Sequence, residues 1–175
     1  PKFIIDRIKN KKSRMTIETL ISESFPGHSF EGKIHNVEHH LCHLASSYFV
    51  SPFEKSVAIS VDGFGDFASS AWGLCEGNNI SLDDRIFFPH SLGIFYQAIT
   101  QFLGFKNYGD EYKVMGLSSY GKPNFIDEIS KIVFSTRKGF ELDLRYFVHH
   151  KKNIIKKKSK GQIEYNNLYS KELIN

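Results

Sequence analysis

The chain has 175 residues with 41% hydrophobic and 14% aromatic side chains, enough for about one globular domain with a buried core and too apolar for global disorder. Its net charge of +4 arises at the ends, because residues 15–150 hold 10 basic and 16 acidic side chains. Basic ends on an acidic body are typical of solvated tails, so a nucleic-acid partner is a minor hypothesis, and no apolar run approaches the roughly 20 residues of a membrane span.

The first predicted region covers residues 1–35, where MTIETLISESF has helical apolar spacing and Pro26 breaks the pattern. A second helix is predicted over residues 36–50, with Asn36 as its N-cap. The buried stripe of this helix is expected to contain five residues, Leu41, Leu44, Ala45, Tyr48 and Phe49.

The next stretch changes its apolar period from helical to alternating. Val57, Ile59 and Val61 alternate with small residues, which predicts a strand. Gly63 and Gly65 then predict a tight turn, followed by a second strand in SSAWGLCEG and a third in ISLDDRIFFP. Because short turns connect these strands, we predict an antiparallel meander.

Helical spacing returns in SLGIFYQAITQFLGF, where Gly104 stands at a position that helix C-termini favour for glycine. A short helix is predicted around residues 112–117 and another over residues 124–134. After about residue 138 the pattern weakens, and HHKKNIIKKKSKG is typical of an exposed linker or insertion.

Three of the 8 histidines lie together in EHHLCHLASSYFV. On a helical wheel with ~100° per residue, His39 and His43 lie one turn apart on the face away from the apolar stripe. Residues four apart are neighbours on a helix, so the two imidazoles could hold one metal ion. His40 lies elsewhere on the wheel. A zincin-type protease needs Glu at that position as its general base, so His40 argues against such a protease.

Asp62 is the candidate third ligand, because it ends the apolar strand beside Gly63, where a carboxylate commonly faces a ligand cleft. Two histidines and one carboxylate would leave positions open for water or substrate. From spacing alone, an H-x-x-x-H pair is more often solvated helix surface, and Asp62 has an ordinary role in an Asp-Gly turn. The residues therefore leave both interpretations open.

Two glycine-rich segments are candidate nucleotide contacts. VDGFGDFASSAWG would let backbone N–H groups approach a phosphate, and Asp62 and Asp66 could hold a metal or orient a polar substrate; the alternative is a plain hairpin. In GDEYKVMGLSSYGKP, Lys113 could neutralise a phosphate and Gly116 could allow close backbone contact, although such Glu–Lys pairs are common on surfaces. Neither segment has the P-loop or Rossmann pattern.

Cysteine use and the first residue bear on cellular context. Cys42 and Cys75 form no C-x-x-C pair, so zinc-ribbon and thioredoxin interpretations have no support. Reduced thiols are the simplest interpretation, and we expect a cytoplasmic protein. Because the sequence begins with Pro1 and not with Met, we expect a fragment of a longer chain.

Three ordered stretches, running through roughly residues 34–123, together resemble the N-terminal domain of the O-carbamoyltransferases of nodulation-factor and antibiotic carbamoylation. They are VEHHLCHLASSYFVSPFEKSVAISVDGFGD, PHSLGIFYQAITQFLGF and GDEYKVMGLSSYGKP. The resemblance implies an α/β fold of mixed sheets flanked by helices, an incomplete lobe of the actin-like ATPase, sugar kinase and chaperone superfamily. It divides the chain into the end of a first-lobe region (1–35), the core of the domain (36–138) and a weakly patterned basic extension or insertion (139–175).

The resemblance also implies a reaction. Family members make carbamoyl-adenylate from carbamoyl phosphate and ATP in a separate C-terminal domain, and the N-terminal domain passes the carbamoyl group to a hydroxyl of a small-molecule acceptor such as a sugar. A family metal, Fe²⁺ or another divalent ion, would be held here by His39, His43 and Asp62. His40 or Asp66 could assist with the proton. The positions near the nucleotide would be Gly63, Gly93, Lys113 and Gly116.

Parts of the family pattern are absent from this sequence: the opening strands before Pro1, a further Asp ligand beyond Asn175 and the domain that forms carbamoyl-adenylate. We therefore expect the fragment alone to be inactive. Two alternatives stay open. One is a tRNA threonylcarbamoyl-transferase-like enzyme, which the basic ends favour slightly. The other is a non-catalytic nucleotide-binding or scaffold module of the same superfamily.

Overall fold

The structure is a computed structural model that describes residues 16–152, 155–157 and 163–174. The chain divides into two compact units, residues 1–36 and residues 37–175. The first unit contributes helix α1, and all other elements given below belong to the second.

Helix α1 spans Ile17–Ser24 and begins after Thr16. The Thr16 hydroxyl accepts a hydrogen bond from the backbone N–H of Thr19, which satisfies one of the free donors at the helix start. The helix predicted in MTIETLISESF is therefore confirmed.

Helix α2 spans His39–Tyr48 and begins later than predicted. Its N-cap is Glu38 rather than Asn36, because the Glu38 carboxylate accepts a hydrogen bond of 2.7 Å from the Leu41 N–H. The buried side chains of α2 are His40, Leu44 and Tyr48. The predicted stripe is therefore rotated toward His40, and Phe49, at the helix end, is 55% exposed instead of buried.

Three strands follow as an antiparallel meander in the order β1-β2-β3, as predicted. The predicted turn at Gly63 and Gly65 is wrong, because both glycines lie inside β1. The chain reverses at Asp66 and Phe67, which both have positive φ angles, and Asp is one of the residues that tolerate this backbone region. The strands are β1 (Lys55–Gly65), β2 (Ala68–Glu76) and β3 (Asn79–Phe87).

The three helices predicted after the meander are confirmed. Ser91 caps the first of them, with its Oγ accepting a hydrogen bond of 3.1 Å from the Ile94 N–H. The helices are α3 (Leu92–Phe102), α4 (Glu111–Ser118) and α5 (Ile126–Ile132). Two antiparallel hairpins follow, β4 (Val133–Thr136) with β5 (Gly139–Leu142) and β6 (Ile155–Lys157) with β7 (Ile163–Tyr165), and 3₁₀ turns span Leu144–Tyr146 and Lys171–Leu173.

Two apolar clusters form the interior of the second unit. One lies between α2 and the meander, where Leu44 and Tyr48 pack on Ala58 and Cys75. The larger one packs α3 against α5 and against residues that follow residue 138, where the sequence pattern weakened. Its buried members are Ile94, Ala98, Ile132, Leu142, Phe147 and Leu168.

The burial of His149 shows that one prediction was wrong for this residue. The sequence assigned HHKKNIIKKKSKG to an exposed linker, yet His149 is buried and its Nε2 lies 2.7 Å from the Pro89 carbonyl oxygen. The rings of Phe64 and Phe88 pack around this imidazole, which explains its burial. Residues 153, 154 and 158–161 of the same stretch lie outside the described residues.

The described residues thus form a mixed α/β structure with small antiparallel sheets and five α-helices. None of the helices in these described ranges is both long enough and apolar enough to cross a membrane.

Candidate metal centre

Three potential ligand atoms converge between α2 and β1. The Nε2 atom of His39 lies 2.7 Å from Oδ2 of Asp62 and 3.0 Å from Nε2 of His43. The third separation, from Nε2 of His43 to the same Asp62 oxygen, is 3.6 Å. The structure therefore brings together the three residues that the sequence singled out. Among the described residues, these three form the group whose side chains are close enough to hold one metal ion.

The donor set fits a divalent cation. Ligand atoms at bond lengths of about 2.0–2.2 Å from one ion stand roughly 3–3.5 Å from one another, close to the separations of this cluster. A single N–H on His39 cannot serve both the Asp62 oxygen and the His43 nitrogen well, whereas a cation uses the lone pairs of all three atoms. Two imidazoles and one carboxylate suit iron or zinc, and leave further positions for water or substrate.

Asp62 is held as a carboxylate. It lies in β1 where the pairing with β2 shifts register, between Val61 and Gly65, and its Oδ1 accepts a hydrogen bond of 2.6 Å from the Gly63 N–H. Burial alone would raise the pKa of Asp62, but hydrogen bonds from His39 and the Gly63 N–H, with the charges of the two imidazoles, hold that pKa below its ordinary value. An ionised carboxylate is the form that binds metal.

Asp66 fixes the start of α2. Its Oδ2 accepts a hydrogen bond of 3.0 Å from the backbone N–H of His39, the first residue of the helix. A carboxylate at this place satisfies a free N–H and complements the helix dipole. The candidate catalytic residue Asp66 is thus next to the cluster, and it positions the backbone that carries His39.

Gly63 and Gly93 meet backbone to backbone beside Asp62. A Cβ on Gly93 would lie 2.8 Å from the Gly63 nitrogen and 2.9 Å from the Asp62 carbonyl oxygen, so only glycine fits between α3 and β1. The hydroxyl of Ser91, just before α3, donates to this strand and lies 2.7 Å from the Gly63 carbonyl oxygen. These contacts tie the N-terminus of α3 to the strand that carries Asp62.

His40 points away from the cluster into the protein. It is fully buried, and its Nδ1 lies 2.9 Å from Oγ of Ser60 on β1. Its ring centroid lies 5.2 Å from that of His39 in an edge-to-face arrangement. The structure therefore places His40 behind the cluster of His39, His43 and Asp62, where it packs α2 onto the sheet.

Lys113 and Gly116 lie on α4 and are not brought to the cluster. The Lys113 ammonium lies 2.7 Å from Oδ1 of Asp110, and this hydrogen bond raises the pKa of Lys113. Around Gly116 a Cβ would meet open space, so no close approach explains this glycine among the described residues.

Sequence reasoning missed three residues of the site. The sequence pattern indicates only a small residue of the alternating strand at Ser60 and a turn residue at Gly65, and no local signal identifies the contacts that either makes with the histidines. Ser91 was detectable, because a serine immediately before a helical apolar pattern is an N-cap signal.

Comparison with known proteins finds similar sequences. The chain matches the carbamoyltransferase N-terminus family over residues 6–173. The uncharacterized protein sll1178 of Synechocystis is 39% identical over 112 residues, 63% of this chain and 18% of its own length. Nodulation protein NolNO of Sinorhizobium fredii is 36% identical over 113 residues, 63% of this chain and 16% of its own length.

A third relative covers more of the chain. The uncharacterized protein MJ1058 of Methanocaldococcus jannaschii is 32% identical over 170 residues, which are 87% of this chain and 26% of that protein. Across these three relatives the matched part is between 16% and 26% of their own length. The chain therefore spans about a fifth of the length of the curated relatives it matches.

Proposed function

This chain belongs to the carbamoyltransferase N-terminus family, and we propose that it serves the transfer of a carbamoyl group to a hydroxyl of a small-molecule acceptor such as a sugar. The donor is carbamoyl-adenylate, made from carbamoyl phosphate and ATP in a separate domain of a longer protein. One relative is a nodulation protein by name, which supports the nodulation-factor branch of the family and with it a sugar acceptor.

The observation that carries the proposal is the convergence of His39, His43 and Asp62. Their ligand atoms lie within 2.7 to 3.6 Å of one another. Such a preformed set is what a metal-dependent transferase needs, and a scaffold module has no need for it. A divalent cation such as Fe²⁺, bound by these three side chains, would supply a Lewis acid for the carbamoyl carbonyl or the adenylate phosphate.

In this proposal, a side chain of this domain takes the proton from the acceptor hydroxyl. Asp66 is exposed beside the cluster, whereas His40 is fully buried. We therefore assign the acceptor proton to the Asp66 carboxylate. The acceptor oxygen forms the new C–O bond to the carbamoyl carbon, the bond from that carbon to the adenylate oxygen breaks, and AMP leaves with the electron pair. The proton moves from the acceptor hydroxyl to Asp66.

The fold proposal follows the same resemblance. We place the second unit in one incomplete lobe of the actin-like ATPase, sugar kinase and chaperone superfamily. An antiparallel meander followed directly by α3 supports this assignment. Gly63 and Gly93, whose backbones nearly touch beside Asp62, would then line the nucleotide side of the cleft.

Metal content tests the proposal. The longer protein that carries this sequence is purified anaerobically as the unsubstituted protein, as His39→Ala/His43→Ala, and as His28→Ala/His35→Ala. The last variant removes two histidines outside the cluster and is the matched control. We expect about one iron per chain in the first and third proteins and none in the second.

Carbamoyl transfer is then assayed with His39→Ala. We expect transfer to be lost while carbamoyl-adenylate formation continues, since that step belongs to another domain. Transfer at the unsubstituted rate would disprove the role of the cluster. Transfer to tRNA instead of a small acceptor would identify the chain as threonylcarbamoyl-transferase-like.

A further inference from the structure

A second concave site lies away from the metal cluster, between the segments 145–152 and 166–172. It is a cleft of about 820 Å³, within the size range of sites that hold small molecules. Most of its lining residues are polar or charged. The polar and charged residues that matter are Arg145, Lys151, Lys152, Asn166, Asn167 and Lys171.

The two walls of the cleft are fixed to each other by backbone hydrogen bonds. The Val148 N–H donates to the Leu168 carbonyl at 2.9 Å, and the Ser170 N–H donates to the Tyr146 carbonyl at 2.8 Å. Leu168 is only 1% exposed, so this wall is rooted in the larger apolar cluster. The cleft is therefore built on ordered backbone rather than on loose surface loops.

Gln101 of α3 anchors the second wall from below. This side chain is buried, and its Oε1 accepts a hydrogen bond of 2.8 Å from the Leu168 N–H. Its Nε2 donates to the Asn166 carbonyl oxygen at 3.3 Å. The Gln101 amide thus holds the backbone on both sides of Asn167 and fixes the position of this wall of the cleft.

The cations of the cleft are incompletely neutralised. Arg145 already has a partner, because its guanidinium makes paired hydrogen bonds with the Asp143 carboxylate. Within the described part of the chain, no acidic oxygen lies within 4 Å of the ammonium groups of Lys151, Lys152 or Lys171. Glu172 is the one acidic residue among the described residues of the lining. A hydrogen bond with Ser170 and the charges of Lys151 and Lys171 lower the pKa of Glu172, so this carboxylate offsets one of the three lysine charges and the net charge stays positive.

We propose that this cleft binds the phosphates of a small phosphorylated ligand, with Lys151 and Lys152 on one wall and Lys171 on the other. Two walls that carry separate cations fit a ligand with two linked phosphates, because each phosphate can meet a cation of its own. A nucleic-acid backbone is followed by an extended basic stripe, whereas this site is a compact cleft. The inference stands apart from carbamoyl transfer and the metal cluster.

Calorimetric titration with pyrophosphate tests the site. The purified chain is used in the presence of EDTA, so that a metal at the other site cannot recruit the ligand. We expect one pyrophosphate per chain, and at least about tenfold weaker binding for Lys151→Gln/Lys171→Gln, because two charge-assisted contacts are lost. The control Lys106→Gln/Lys122→Gln removes the same charge outside the cleft and should bind within about twofold of the unsubstituted chain.

Two further titrations identify the source of the phosphates. Tighter binding of ATP than of pyrophosphate indicates a nucleotide, and equal binding indicates that the phosphates alone are recognised. Equal losses in both double variants would overturn the proposal, because general charge attraction would then explain the binding. No binding at millimolar pyrophosphate, or tighter binding of a single-stranded RNA oligonucleotide, would overturn it as well.

Discussion

Gly65 of β1 lies directly against the imidazole of His39. A Cβ on Gly65 would fall 2.5 Å from Nε2 of that ring and even closer to its carbon atoms, so the two groups would overlap. The missing side chain at Gly65 is therefore what allows His39 to reach Asp62 across the gap between α2 and β1.

Gly65→Ala is expected to displace the His39 ring and to weaken metal binding at least tenfold, because one of three ligands loses its place. The measurement is iron or zinc affinity of the chain, followed by competition with a chelator. Thermal unfolding is recorded in parallel, because the methyl group also strains the end of β1.

Gly121→Ala is the matched control for this substitution. A Cβ on Gly121 meets only an ordinary contact, 3.5 Å from the Ser118 carbonyl oxygen. This variant should bind metal like the unsubstituted chain. Equal metal affinity in Gly65→Ala and Gly121→Ala would show that His39 does not need its present orientation to bind a metal.

Asp66 has two roles that substitution separates. Asp66→Ala removes the acceptor of the His39 N–H and is expected to cost about 0.5–2 kcal/mol of unfolding free energy, as for other side-chain acceptors lost at a helix N-terminus. Asp66→Asn keeps an acceptor and a residue type that tolerates the positive φ, so the stability should stay close to that of the unsubstituted chain. Urea denaturation measures both.

Carbamoyl transfer by the two Asp66 variants then tests the proton assignment. An amide cannot take the acceptor proton, so Asn should lose transfer as fully as Ala despite its retained stability. Full transfer by Asp66→Asn would show that Asp66 acts only by positioning α2.

The sequence predicted the elements well where the apolar period was long. The meander and α3 follow from alternation and helical spacing that the core enforces, whereas α4 was predicted correctly although none of its residues is buried. The two histidines one turn apart also follow from helix geometry alone, and their nitrogens are 3.0 Å apart.

The failures have local physical reasons. Gly63 and Gly65 are typical turn residues, yet here they let α3 and His39 approach the strand, and such close packing leaves no mark on the neighbouring sequence. His149 was assigned to an exposed linker because lysines follow it, whereas its burial depends on Phe64 and Phe88, distant in sequence. Contacts of this kind need tertiary structure.

Ser60 supports the buried His40, and its removal tests that role. Ser60→Ala leaves Nδ1 of His40 buried without its partner, which should cost about 1–3 kcal/mol of unfolding free energy. Ser46→Ala, on the exposed face of α2, should change stability by less than about 0.5 kcal/mol. Because His40 lies behind the cluster, metal content should be unchanged in both variants, and loss of metal in Ser60→Ala would instead link His40 to the site.

Gly93 and Gly116 offer a matched pair for packing, because both are helical glycines for which the family resemblance implies a position near a nucleotide. In a helix, Gly→Ala gains up to about 1 kcal/mol from propensity alone. At Gly116 nothing hinders the methyl group, so Gly116→Ala should stabilise the chain by about that amount. At Gly93 the methyl group would lie 2.8 Å from the Gly63 nitrogen, and the overpacking should cost about 1–3 kcal/mol. Urea denaturation of the two variants should therefore shift the unfolding midpoint in opposite directions. A shift of the same sign and size in both would show that α3 and β1 can separate without cost. The close approach of α3 to the strand that carries Asp62 would then contribute nothing to the free energy of unfolding.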